Sequence, residues 1–168
     1  MRSRPDQRAA VAAAKRTRAL ITDDPDRMVE TIHVAAAVGL KVVFCALQAT
    51  AEDRDVSSFL HRGCIYVVDD QHPIDQRFAI AREIGRHVLH ADRIGKKGYD
   101  AVSSRHRDHR DADTMEAELF ATHLLAPDAA IRRWTRRPLR DGIASLSIIL
   151  AVPSDMLVAR LPHDIRTA

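Results

Sequence analysis

The strongest regular pattern of hydrophobic and polar positions runs from residue 73 to residue 91 and has the spacing of an α-helix. One side of this helix is apolar and is made by Phe78, Ala81, Ile84, Gly85, Val88 and Leu89. The opposite side is mainly polar and is made by Ala79, Arg82, Glu83, Arg86 and His90. Periodicity alone therefore predicts an amphipathic helix whose polar side faces solvent.

The remaining patterns predict further helices around a small sheet. Helices are expected at residues 7–20, 24–39, 112–125, 127–137, 140–151 and 153–161. In the second of these, Asp24 is the expected cap, and one face carries Met28, Ile32, Ala35 and Ala36. A strand is expected at residues 41–47, a hairpin around Gly63 and a polar loop at residues 92–113. Because the strands do not alternate with helices, the sequence predicts an α+β fold with a small, mostly antiparallel sheet flanked by helices.

Composition indicates a globular chain, with 46% hydrophobic and 29% charged residues and a net charge of +3. No apolar run approaches the roughly 20 residues of a membrane span, and the basic N-terminus lacks the apolar centre of a signal peptide. We therefore expect a cytoplasmic protein with no membrane partner. Cys45 and Cys64 lie in strand-like apolar runs, so buried, reduced thiols are expected.

The polar side of the 73–91 helix has the spacing of a zinc-peptidase motif. Arg82 and Arg86 are four residues apart and Glu83 follows the first of them, which is the geometry of HExxH. In that motif two histidines bind zinc and the glutamate activates water. A guanidinium group stays protonated and has no lone pair to give, so the RExxR sequence predicts no metal at these positions.

Two segments carry a family resemblance. The stretch QRFAIAREIGRHVLH (residues 76–90) resembles the active-site helix of ImmA/IrrE metallopeptidases, which typically reads QRFTIAHELGHHLLH. The stretch MEAELFATHLLAPDA (residues 115–129) resembles that family's E-A-N-x-F-A-x-x-L-L-M-P segment. The resemblance spans roughly residues 20–160 and implies a zincin-like core. It places the zinc ligands at Arg82, Arg86 and Glu116, with Asp113 in place of Glu116 if the register slips by one turn, and the general base at Glu83.

The resemblance also implies a biological setting. Peptidases of this family relieve repression by cleaving or acting on a partner repressor or regulator of phage or mobile elements. Because both histidine positions hold arginine, we expect a catalytically degenerate member with no metal and no enzyme activity. It would bind a helix-turn-helix repressor or another regulator, keep Glu83 as a vestigial base, and pair Arg82 or Arg86 with Glu116. The expected divisions are a basic N-terminal helix (1–22), a zincin-like core (23–127) and a helical C-terminal segment packed on that core (128–168).

Two alternatives stay open. In the first, the chain is an active zinc endopeptidase with displaced ligands, namely His90, Glu116 and His123. In the second, it is a DNA-binding regulator whose basic helical face comprises Arg132, Arg133, Arg136 and Arg137. Residues 143–161 resemble the helix-turn-helix-like ending of the family, but no basic residue begins the second helix, which favours a packing role over DNA contact.

Overall fold

The structure is a computed structural model that describes residues 5–24, 27–46, 56–92, 101–104, 112–136, 142–158 and 160–161. Within those ranges the chain forms seven helices and four strands. In chain order they are α1 (Gln7–Ala19), α2 (Thr31–Ala37), β1 (Lys41–Cys45), β2 (Val56–His61), β3 (Cys64–Val68), α3 (Pro73–His90), β4 (Ala101–Ser104), α4 (Ala112–Leu125), α5 (Asp128–Thr135), α6 (Gly142–Leu150) and α7 (Ser154–Val158). The predicted α+β class is confirmed. The proposed division into three parts remains a prediction.

The sheet has the strand order β1-β3-β2-β4. Strands β2 and β3 form the predicted antiparallel hairpin, in which Gly63 adopts a φ of +76° that favours glycine at this turn. Strand β1 runs parallel to β3, and β4 runs antiparallel to β2. Two of the three pairings are therefore antiparallel, as the sequence predicts.

Strand β4 lies inside the segment that the sequence predicts to be an entirely polar loop. Its four residues, Ala101–Ser104, pair with β2 and extend the sheet by one edge strand. The prediction was wrong because AVSS is too short to show an alternating pattern, whereas backbone hydrogen bonding to an exposed strand edge does not depend on side-chain pattern.

The second helix begins later than its sequence predicts. Helix α2 begins at Thr31, and its buried side chains are Thr31, Val34 and Ala35. Met28 precedes the helix, and Ile32 is 51% exposed, so the expected face is only partly correct. Just before the helix, the Arg77 guanidinium donates to the backbone oxygen of buried Val29 at 2.7 Å.

Helices α3 and α4 form the centre of the molecule. Helix α3 packs on β2 and β3, α4 packs on α3, and α1 packs on α4. The α3–α4 contact is closest at Gly85, where an added Cβ would lie 2.7 Å from Phe120 Cδ1 and 3.1 Å from the Ala117 oxygen. Phe120, Ile84, Leu124 and Ile65 are fully buried in the surrounding core. Glycine at residue 85 therefore lets the two helices approach closely.

Both cysteines lie in the parallel β1–β3 pair. They are free and only partly buried, so the prediction of buried thiols was wrong. The reason is that β1 forms one edge of the sheet and its residues are mostly exposed or half-buried. Burial, together with the charge of Asp69, raises the pKa of the Cys45 thiol above its usual value.

The C-terminal end of the described chain packs against α4. Helix α7 contacts α4, and the Arg160 guanidinium donates to the Thr122 oxygen at 3.0 Å and to the Asp128 carboxylate at 2.6 Å. It also donates to the Ala126 oxygen. Arg160 is thus engaged inside the fold, which agrees with the packing role that the sequence favours. None of the described helices is long and apolar enough to cross a membrane.

Candidate functional site

The polar side of α3 faces inward. Arg82 is 5% exposed, Glu83 is 0% exposed and His90 is 3% exposed, whereas Val88 on the supposed apolar side is 36% exposed. The prediction of a solvated polar side was therefore wrong. Strand β2, which supplies buried Ser57 and Ser58, and helix α4 cover this side of α3 with polar groups of their own.

The first polar group consists of Arg82, Glu83 and Arg86, which we call the arginine cluster. Glu83 Oε1 accepts a hydrogen bond from Ser58 Oγ at 2.8 Å and lies 3.9 Å from Arg82 Nε. Glu83 Oε2 lies 3.6 Å from Arg86 Nε. Arg82 also donates to Ser57 Oγ at 2.6 Å. A fully buried carboxylate is tolerable only with such compensation by opposite charge and hydrogen bonds.

The sequence predicts that Arg82 or Arg86 pairs with Glu116, and the structure has a different arrangement. The carboxylate beside both guanidinium groups is Glu83, which the helix itself holds at the right spacing. Glu116, on α4, instead accepts a hydrogen bond from the backbone N–H of Asp6 at 2.6 Å and faces His90.

The second polar group consists of His90, Asp113 and Glu116, which we call the histidine cluster. His90 Nε2 lies 3.3 Å from Glu116 Oε2, and His90 Nδ1 lies 3.9 Å from Asp113 Oδ1. Neither ring nitrogen makes a hydrogen bond within the described part of the chain. One ligand atom from each residue can be chosen so that all three lie within 4.8 Å of one another.

His123, the third member of the displaced ligand set predicted above, lies in different surroundings. Its Nδ1 is 3.9 Å from Asp128, and its pKa is lowered to about 4 by burial first and by the charge of Arg160 second. Asp113 lies beside His90 and Glu116 instead. The signal for it was in the sequence, because Asp113 and Glu116 are three residues apart and so share one face of α4.

The sequence of this part of the chain matches one protein family. A sequence profile described as the IrrE N-terminal-like domain, a peptidase family, matches residues 35–145. The chain belongs to this family. No curated protein matches the chain at a significant level.

Zinc is the metal that membership in the IrrE-like family implies. The residues at the corresponding positions of α3 do not fit it, because Arg82 and Arg86 offer only N–H donors. Their positive charges also lie beside Glu83, at 3.9 Å and 3.6 Å, and would repel a cation placed there. No catalytic step through zinc follows from this arrangement.

The basic face of this IrrE-like chain lies on α5. Arg132, Arg133 and Arg136 are exposed, whereas Ile131 is buried and Trp134 packs partly against the core. Arg137 lies outside the described residues. Helix α7 has five residues, and Arg160 after it is engaged with α4 and Asp128. The described residues at this end of the chain thus present arginines on α5 but no basic second helix.

Proposed function

We propose that this chain is a catalytically degenerate member of the IrrE-like family that acts by binding a regulatory protein. The partner we propose is a helix-turn-helix repressor or similar regulator of a phage or mobile element. The observation that carries the proposal is the state of Glu83, which is fully buried between Arg82 and Arg86. The family's catalytic position would then be a structural ion-pair group.

The position of Glu83 argues against hydrolysis at this point. A general base must reach the water from which it removes a proton, either directly or through one further water. Glu83 has no exposed surface, and Ser58 donates to one of its oxygens at 2.8 Å. A neighbouring metal that would lower the pKa of such a water has no ligands at Arg82 and Arg86. Base and Lewis acid are thus both unsuited to peptide hydrolysis there.

A cleft beside Glu116 offers a surface for a protein partner. It has a volume of about 270 Å³ and lies between the start of α1, α4 and α7. Met115, Leu119 and Met156 line it together with Glu116 and Arg160. Methionine side chains adapt to partners of different shape, and the charged residues at the edge can orient a polar segment. We assign the recognition of the regulator to this cleft.

The experiment uses a purified helix-turn-helix repressor of a phage or mobile element. We expect binding, measured by calorimetry, with the regulator's mass unchanged after prolonged incubation with added zinc. Met156→Glu should weaken binding about tenfold or more, because a charge would enter the apolar part of the cleft. Ile148→Glu is the matched control, since Ile148 is 71% exposed on α6 and should leave binding unchanged.

Two results would contradict the proposal. Cleavage of the regulator that stops on addition of a chelator would make the chain an active metallopeptidase. Absence of any regulator binding, combined with DNA binding that is lost on charge reversal of Arg132 and Arg136, would favour the DNA-binding alternative. Circular dichroism of each variant checks that the fold is kept.

A further inference from the structure

His90 is a buried side chain whose ring nitrogens are not satisfied by the protein. It is 3% exposed, and no hydrogen bond reaches Nδ1 or Nε2 within the described residues. Buried polar atoms nearly always have a partner, so a group of this kind indicates something that binds there. The atoms that surround it are carboxylate oxygens of Asp113 and Glu116.

The chemistry of these three side chains suits a cation. Imidazole nitrogen and carboxylate oxygen are both among the ligands that zinc and related divalent ions take in proteins. Zinc ligands lie about 2.1 Å from the metal, so two ligands at a tetrahedral angle are about 3.4 Å apart. The distance from His90 Nε2 to Glu116 Oε2 is 3.3 Å. This pair already has the separation that a shared metal requires.

We propose that His90, Asp113 and Glu116 form a binding site for a divalent transition-metal ion of the zinc type. The site is displaced from the family's position by one helical turn, and the antiparallel packing of α3 and α4 accounts for the displacement. One turn toward the end of α3 leads from Arg86 to His90, and one turn toward the start of α4 leads from Glu116 to Asp113. His90 on α3 and Asp113 on α4 therefore come close to each other.

The proposed metal site differs from the arginine cluster because water can reach it and because a bound ion would link separate helices. Glu116 lines the cleft of about 270 Å³, through which water can supply the remaining ligands. The ion would join α3 to α4, and Glu116 also accepts from the Asp6 backbone just before α1. We assign the metal a stabilising role in which it holds these three helices together. This inference does not depend on whether a regulator is bound or cleaved.

The experiment is a zinc titration of the tag-free full chain after chelator treatment and dialysis, followed by calorimetry and thermal unfolding. We expect one zinc per chain in the natural protein and a higher Tm with zinc. His90→Gln and Asp113→Asn should each lower the affinity about tenfold or more. The control is His87→Gln, which changes a partly exposed histidine on the same helix and should leave the affinity unchanged.

Cobalt provides a second measurement that does not depend on heat effects. Co²⁺ bound by these side chains should give visible d–d absorption that needs about tenfold more cobalt to develop in Asp113→Asn, a change at a side chain that is 40% exposed and so tolerated by the fold. No saturable binding in the natural protein would overturn the proposal. Equal affinity in the natural protein and in Asp113→Asn would also overturn it.

Discussion

The arginine cluster and the histidine cluster lie one helical turn apart on the same buried side of α3, yet their chemistry is opposite. In the first, Arg82 and Arg86 flank Glu83, and Ser57 and Ser58 accept or donate hydrogen bonds around them. In the second, His90 meets two carboxylates without a hydrogen bond to either ring nitrogen. In the first group guanidinium donors lie beside a carboxylate, whereas the second group has an excess of acceptors. Burial alone therefore does not mark a functional site, and the balance of donors and acceptors does.

The largest expected effect comes from breaking the arginine cluster at its centre. Glu83→Gln removes a fully buried carboxylate that lies beside the guanidinium groups of Arg82 and Arg86, and breaking a buried ion pair in this way costs about 3–5 kcal/mol of the free energy of unfolding. Chemical denaturation measures the loss. Glu30→Gln is the control, because the Glu30 side chain is 68% exposed beside Arg77 and should cost about 0.5 kcal/mol or less. Similar small losses in both variants would contradict the structural role of Glu83.

A second change tests the contact between the helices that the histidine cluster spans. In Gly85→Ala, the new methyl group would lie 2.7 Å from Phe120 Cδ1, so α4 must shift. Overpacking costs about 1–3 kcal/mol, which exceeds the gain of about 1 kcal/mol from replacing glycine in a helix. We expect a net destabilisation of about 1 kcal/mol and weaker zinc binding. A double-mutant cycle with Phe120→Leu should recover part of the loss, and full additivity would contradict the proposed contact.

A third change tests His123, a partly buried histidine on α4. The pKa of His123 is lowered to about 4 in the fold, by burial first and by Arg160 second, from 6.5 when unfolded. A lowered histidine pKa means that the unfolded chain takes up the proton first, so folded stability falls as the pH drops below 6.5 and levels off below about 4. At pH 5 the loss is about 2 kcal/mol. His123→Gln should remove this part of the pH dependence between pH 7 and pH 5, measured as the difference in the free energy of unfolding from the natural protein. If His123→Gln and the natural protein differ in free energy of unfolding by the same amount at pH 7 and pH 5, the lowered pKa of His123 is contradicted.

The smallest effect is expected on α5. Arg132→Glu/Arg136→Glu changes two exposed side chains, so the free energy of unfolding should stay within about 0.5 kcal/mol. Under the proposed function, regulator binding is also unchanged. Fluorescence anisotropy with duplex DNA at two salt concentrations checks the alternative. Strong, salt-sensitive binding that the charge reversal removes would show that the basic face contacts DNA.

The sequence was sufficient for the order of the elements but not for the environment of the site. Helices α3 and α4 were predictable because their apolar residues repeat at helical spacing, and the hairpin because Gly63 separates two β-branched runs. The burial of Arg82 and Glu83 was not, because an amphipathic pattern defines two sides of a helix without saying what covers each. Only the sheet order brings Ser57 and Ser58 of β2 against α3.

The predicted ion-pair partner of Arg82 and Arg86 was wrong for a related reason. Pairing with Glu116 was inferred from the family's ligand positions, whereas the nearer carboxylate, Glu83, lies on the same helix, three residues before Arg86. Glu116 was already engaged by His90 and by the Asp6 backbone, and neither contact can be read from spacing within one helix. Asp113 could have been included, since it shares a face of α4 with Glu116.

The most direct test of the account is the zinc stoichiometry of Arg82→His/Arg86→His beside that of the chain with both arginines, with folding of both checked by circular dichroism. We propose that the arginine cluster occupies the position at which the family binds zinc. This proposal predicts that the double variant, which regains two histidine ligands beside Glu116, binds zinc in a His90→Gln background, whereas the protein with both arginines in that background does not. Because Glu116 belongs to both candidate sites, the His90→Gln change in both proteins keeps this result separate from any zinc held by His90, Asp113 and Glu116. The same zinc content in both folded proteins would contradict the claim that only the arginines keep metal from that position.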